Sequence, residues 1–352
     1  MINSMKKANG FFSKLYFLFF LLTALASCNK DDPKPKGEFS TGALVINEGS
    51  FNKADGTIGF FDPTSLEATQ DIFGLKNNGK ALGDIVQSMF IDGDLAYVPV
   101  NNSNTLEVVN SNTFVSEYTL TDLKLPRYFT VYKGKGYLTE WVSFTDPGRV
   151  SVINLTDRKV ETTITTDFGA ENIIEVKGNL YVSNNFSNTI SVINSADNKV
   201  STTIEVGSSP GEFVLDTDNK LWVICGGDFG MDNASLHLID PATNKVEKSL
   251  ELAISTSSHL VLNKAKDQLF FTSGKNVYRI STKNPEVPQT AFIVASDAIQ
   301  VYGIGVDPQT DIIYVADAKG FQGNGTVFRY KSDGVAMDSF TAGKGPNGFI
   351  FR

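Results

Sequence analysis

The 352-residue chain has only two histidines and two cysteines, and each scarcity removes a class of chemistry. No Cys/His spacing suits zinc, and neither an HExxH helix nor a GxSxG elbow occurs. Gly226-Gly227 and the Gly323, Gly325 pair lack the strand-to-helix context that phosphate-binding loops require. Asp92-Gly93-Asp94 and Asp307–Asp311 lack the ligand spacing of an EF-hand loop and read as turns. The pattern assembles no acid, base and nucleophile, so the expectation is a protein that is not an enzyme and needs no cofactor or metal. Positive charge is also short, with 31 Lys and Arg against 39 Asp and Glu and no basic run interleaved with aromatics. Phosphate binding depends on clustered cations, so nucleic acid is not an expected partner. No long helical apolar pattern is present either.

What the chain does contain is repetition. Asn179–Val206 reads as three strands, Leu180–Ser183, Thr189–Asn194 and Lys199–Val206, separated by Asn/Asp/Ser clusters that favour tight turns. ISVINSADNKVSTTI at Ile190 is matched by VSVINLTDRKVETTI at Val150 and LHLIDPATNKVEKSL at Leu236, offsets of 40 and 46 residues. Weaker copies begin at Ile58, Leu106, Val277 and Val327. The strand before each copy carries an aromatic at Tyr97, Tyr137, Tyr181, Trp222, Phe270 and Tyr314, with Leu44 in the first copy. Seven copies of several short strands at this period predict an all-β, seven-bladed β-propeller with four antiparallel strands per blade.

The meander supplies the outer three strands of each blade. The inner strands are expected at Val86–Ile91, Arg127–Tyr132, Asn172–Val176, Glu212–Leu215, His259–Leu262 and Gly303–Val306. No such strand precedes the first meander near Gly42. The chain ends Pro346-Asn347-Gly348-Phe349-Ile350-Phe351, in the same order as Pro210-Gly211-Glu212-Phe213-Val214-Leu215. Asn347–Phe351 is therefore expected to close the ring as the inner strand of the first blade, which removes exposed sheet edges.

Ahead of the propeller (41–352), residues 1–27 combine Lys6, Lys7 and Lys14 with an apolar run from Leu15 to Leu25, the form of a secretory leader. Leu25-Ala26-Ser27-Cys28 resembles a bacterial lipobox, which implies a lipid-anchored Cys28 as the new N-terminus. Residues 28–40 then read as a polar, proline-containing tether. Asn29-Lys30-Asp31-Asp32 resembles the surface-export signal of Bacteroidetes lipoproteins, implying an outer-membrane protein facing the exterior. Membrane contact would come through the anchor only, since loss of the leader takes the formal charge from −8 to −11. Cys225 then has no partner and reads as a small buried hydrophobe, and His237 as a satisfied blade residue.

In a propeller the loops joining second and third strands share one face with the loops between blades, and insertions gathered on one face mark a binding side. The longer loops bring Phe51, Trp141, Phe144, Phe186, Phe229 and Phe321 to that face. These rings either fold over the blade tops or present contact surface. The between-blade segments add Asp84, Gln87, Arg127, Tyr128, Glu171, Asn172, Glu212, His259, Gln300, Tyr302 and Asn347 around a central mouth. A ring of amides, hydroxyls and mixed charge suits a large ligand rich in amides or hydroxyls.

Asn47-Glu48-Gly49-Ser50-Phe51, Leu82-Gly83-Asp84 with Gln87-Ser88, Leu95-Ala96-Tyr97 and Asn101-Asn102-Ser103-Asn104 resemble the YncE-like, DUF5074-type propeller lipoproteins of Bacteroidetes. The resemblance spans the whole mature chain and is stronger for fold than for ligand. Within that group are surface lipoproteins that capture corrinoids (vitamin B12) and pass them to a TonB-dependent outer-membrane transporter. The resemblance thus implies a corrinoid, or another large nutrient, as ligand and such a transporter as partner. Two alternatives stand beside it: a surface module contacting protein or glycan, and an enzyme of the related quinoprotein dehydrogenase type.

Overall fold

The computed structural model describes residues 37–228 and 233–352. These form seven four-stranded antiparallel sheets. Blade 4 shows the plan, with Ala170–Val176 innermost, then Asn179–Asn184, Thr189–Asn194 and Lys199–Glu205 outward. The turns fall where Asn and Asp side chains cap their own backbone: Asn194 Oδ1 accepts from the Ala196 amide at 2.8 Å.

Each sheet is covered on both faces by its neighbours, so second strands such as Leu221–Cys225 are buried throughout instead of alternating. The aromatic slot of the repeat fills these inter-blade layers. Tyr97, Tyr137, Tyr181, Trp222, Phe270, Tyr314 and Leu44 are all buried. Outer strands touch solvent, and Lys199–Glu205 buries only Ile204. Cys225 is fully buried, and burial pushes its thiol up to about 12. His237 is buried and satisfied, accepting from the Gly207 amide through Nε2 at 2.9 Å and meeting Ser249 Oγ through Nδ1 at 2.8 Å.

The ring closes as the C-terminal repeat implied. Pro346–Phe351 pairs antiparallel with Ala43–Asn47, matching Ala43 to Phe351 and Val45 to Phe349. Across the same seam Phe61 of blade 1 stacks on Phe340 of blade 7 with centroids 4.1 Å apart and planes 7° apart.

Two local expectations are corrected and one feature is added. Residues 38–40, assigned to the tether, pack onto the propeller: Phe39 is buried edge-on to Phe60 and Phe114. The connection from blade 1 to blade 2 holds a short helix, Ile72–Lys76, whose Ile72 and Phe73 join the same core. Inner strands are shorter than expected in two blades, Phe90–Asp92 in blade 2 and Val261–Leu262 in blade 6. In blade 2, Val86 contributes only an isolated bridge to Val100. Cys28, the leader and Phe229 lie outside the described residues.

Candidate functional site

The inner strands of blades 3, 4, 5 and 7 all start with a register shift against the second strand, at Pro126/Phe129, Ala170/Ile173, Pro210/Phe213 and Val301/Gly303. The closing strand has its own shift, opposite Ile46/Asn47. Such bulges leave residues unpaired and re-aim their side chains. Here they release Arg127, Tyr128, Glu171, Asn172, Glu212, Tyr302 and Asn347 from the ladder and turn them toward the propeller axis.

Three clusters result. Arg127 meets Glu171 with two parallel bonds, Nε to Oε2 at 2.8 Å and NH2 to Oε1 at 2.7 Å, and also donates to Gln87. Trp141 covers this pair, its Nε1 donating to Glu171 at 2.7 Å while the guanidinium lies 3.8 Å from the indole centroid. Glu212 meets His259 Nδ1 at 3.0 Å and accepts the Leu260 amide at 2.9 Å. Glu48 accepts from the Tyr302 hydroxyl and from Asn347 Nδ2, each at 2.8 Å.

These clusters line two cavities along the axis. The one toward the mouth, about 270 Å³, is walled by Glu48, Arg127, Trp141, Glu171 and Tyr302 together with Thr256, Ser257 and Ser258. The deeper one, about 300 Å³, adds Asn172, Asn347 and the apolar Ile46, Phe213, Ile304 and Phe349. Gln87, Tyr128, Glu212 and His259 line both.

The charges shift one another. Burial pushes the Glu48 carboxyl above the usual carboxylate range, although Tyr302, Arg127 and Asn347 pull the other way. Burial opposes the charge on His259, but Glu212, with Glu48 and Glu171 beyond it, holds the imidazole above its ordinary value. Arg127 is likewise penalised by burial and raised overall by Glu171. Burial, with Glu212 beside Tyr128 and Glu48 beside Tyr302, drives both phenols far up, so they act as hydrogen-bond donors.

Among the described residues the loop aromatics do not form a rim. Trp141, Phe144 and Phe186 gather across blades 3 and 4, with centroid distances of 5.8, 4.7 and 5.7 Å. Phe144 is 72% exposed and Phe186 38%, so the cluster is a shelf beside the funnel. Phe321 turns instead against Tyr302, edge to face at 5.2 Å, and Phe51 stands apart at 66% exposure. Asp84 and Gln300, expected at the mouth, line neither cavity. Asp84 accepts from the Asn52 amide at 2.9 Å and from Asn102, joining blades 1 and 2. Gly83 makes this possible: its φ is +144°, and a Cβ there would lie 2.7 Å from Ser103 Oγ. Much of the motif carrying the family resemblance is therefore a lock between loops.

Sequence reasoning missed Glu48 and Thr256 as site residues. Glu48 had a signal: it directly follows the wholly buried strand Ala43–Asn47, where a carboxylate needs partners. Thr256 sits in an irregular stretch with no such mark.

The described residues define a class, a seven-bladed propeller with a polar axial funnel and an aromatic shelf at its mouth. Residues 41–344 match the family model described as a domain of unknown function, DUF5074, and the chain belongs to that family. No curated protein sequence matches it. Among solved structures it is similar to a quinonprotein alcohol dehydrogenase-like protein from Bacteroides thetaiotaomicron, with TM-score 0.71, 16% identity and coverage of 89% of this chain and 78% of that one. It is also similar to a functionally unknown protein from Desulfotomaculum acetoxidans, with TM-score 0.68, 10% identity and coverage of 89% and 99%. Virginiamycin B lyase from Staphylococcus aureus gives TM-score 0.58 at 16% identity over 76% and 88%. At these identities the likeness is one of fold.

Proposed function

We propose that this chain is a non-enzymatic surface lipoprotein that captures a broad, amide- or hydroxyl-rich nutrient on its mouth face and hands it to a TonB-dependent outer-membrane transporter. The observation that supports this most is the Trp141–Phe144–Phe186 shelf, apolar surface left in water beside a polar funnel. Cavities of about 270 and 300 Å³ fall at or below the range that encloses a drug-sized ligand. A large guest therefore lies over the mouth and the shelf, with only a substituent entering the funnel. A corrinoid is the first candidate, from the resemblance noted above.

Calorimetry with cyanocobalamin tests it. Micromolar or tighter binding is expected, weakened about thirtyfold by Trp141→Ala, as for an aromatic hot spot. No heat and no retained colour after desalting would remove the corrinoid. The exposed Phe51 and Phe144 also favour a second reading, a module that contacts glycan or protein. That reading gains if purified surface glycans bind and lose affinity in Phe144→Ala. Anchoring belongs to the same proposal: Cys28→Ala is expected to move the protein from membranes to the soluble fraction. Alanines at Lys30, Asp31 and Asp32 should leave it membrane-bound but shielded from external protease.

A further inference from the structure

We propose that the funnel is a receptor for a nitrogen cation, a primary ammonium or guanidinium carried by the captured ligand, with Glu48 as its counter-charge. The inference rests on the reading of the mouth as a capture site and narrows what enters it to a cation, which favours a nutrient other than a corrinoid, whose side chains are neutral amides.

A charge inventory of the upper cavity carries the argument. Its walls hold three carboxylates, Glu48, Glu171 and Glu212, against two bases, Arg127 and His259. Both bases are committed, Arg127 to Glu171 in a bidentate pair and His259 to Glu212. Glu48 is left with neutral donors, one to each oxygen, from Tyr302 and Asn347. Among the described residues no Lys, Arg or His nitrogen lies within 4.0 Å of it. Yet Glu48 is only 9% exposed. A buried carboxylate with no cation in contact is costly, and burial pushes its titration up even with the charges of Arg127 and His259 acting from farther off. A guest bringing positive charge recovers it, and each carboxylate oxygen still has room for a second donor.

Two further atoms point the same way. Asn347 is 2% exposed, and its Nδ2 donates to Glu48 and to the Gln87 carbonyl. That fixes the amide orientation, since a flipped amide would set oxygen against carboxylate. Its Oδ1 is buried and has no partner among the described residues, in a residue that lines the deeper cavity. Thr256 Oγ1 is likewise buried and unpartnered, in the wall of the upper cavity that Glu48 shares. A carboxylate and an amide oxygen only accept, and a hydroxyl can accept, so together they suit a guest made of N–H donors. An anion would meet Glu48 at low dielectric and be repelled.

The test titrates the full-length protein at pH 8 and low salt with n-butylamine and, separately, with its neutral analogue n-butanol, by calorimetry. The amine should bind in about the millimolar range expected for five heavy atoms, and the alcohol should give no saturable heat. Glu48→Gln keeps the shape of the side chain but removes its charge and replaces one of its two accepting oxygens with a donor, and should weaken the amine about tenfold or more. If that variant does not fold, Thr256→Val takes its place, with a loss of about threefold or more expected. Equal behaviour of amine and alcohol, or unchanged amine affinity in the folded variant, overturns the cation site. Cyanocobalamin binding retained without any amine effect would remove this inference and leave the capture reading. Amine binding without cobalamin binding would keep the site and remove the corrinoid.

Discussion

Blades 4 and 6 follow the same four-stranded plan but spend it differently. Blade 4 runs strands of 7, 6, 6 and 7 residues, and its turns and ladders follow the repeat closely. Blade 6 keeps two full strands, Gln268–Ser273 and Asn276–Ser281, between an inner and an outer strand of two residues each. Its outer copy is interrupted by Pro285 and Pro288, which cannot donate to a ladder. Its inner segment leaves the ladder before Val261, and Thr256, Ser257, Ser258 and His259 become cavity wall. Blade 4 keeps its full set of strands and gives Glu171 and Asn172 to the axis through a bulge, whereas blade 6 gives up sheet hydrogen bonds for side chains there. Local rules fail where a surface has another use.

The largest test of that division removes ring closure. Deleting residues 345–352 strips the inner strand from blade 1 and leaves the inner edge of Ala43–Asn47 unpaired. Calorimetric melting should fall by about 10 °C or more, or the chain should fail to fold. A change under about 2 °C would mean that the framework does not depend on closure.

A single pair of substitutions sets blade 4 directly against blade 6. Tyr181→Ala empties a fully buried slot and cuts the hydroxyl bond to Asn244 that ties blade 4 to blade 5. Denaturant unfolding should show a loss of about 3–5 kcal/mol, as for other large aromatics cut to alanine. Thr256→Val removes a buried hydroxyl that has no partner among the described residues, and should change stability by less than about 1 kcal/mol. Comparable losses in the two variants would erase the distinction between framework and site.

The smallest effect is in pH, where the two histidines act in opposite directions. His259 is held above its ordinary value, so its contribution to stability is complete below about pH 6.5 and is lost as pH rises through the folded value. Burial holds His237 below its ordinary value, so its contribution is complete above about pH 6.5 and is lost as pH falls through the folded value. The melting-temperature gap between wild type and His259→Gln should therefore widen from pH 8 to pH 6, and that for His237→Gln should narrow. Parallel profiles would show that the axial Glu212–His259 pair adds nothing beyond the blade environment.

Much of the framework was legible residue by residue. Tyr97, Tyr137, Tyr181, Trp222, Phe270 and Tyr314 could be placed in one buried slot because a strand ladder repeats every two residues and a blade recurs at a near-fixed spacing. The closing strand was legible for the same reason, since Pro346–Phe351 repeats the order of Pro210–Leu215. Most of the polar mouth was legible too, because its residues stand at one position of the inner strand, where the bulges release them. The shelf was legible in composition but not in shape. Nothing local distinguishes Phe144, which stays in water, from Phe321, which turns onto Tyr302.

The sequence alone determined the blade, its period, its buried slot and the strand that completes the ring. All of these follow from turn chemistry and alternation within about one repeat length. Tertiary structure decided which charges are paired and which is left over. Arg127 finds Glu171 across 44 residues, His259 finds Glu212 across 47, and Glu48 takes its donors from 254 and 299 residues away. The first two meetings join the inner segments of neighbouring blades and the last two lie at the closing seam, and no local rule acts over those distances.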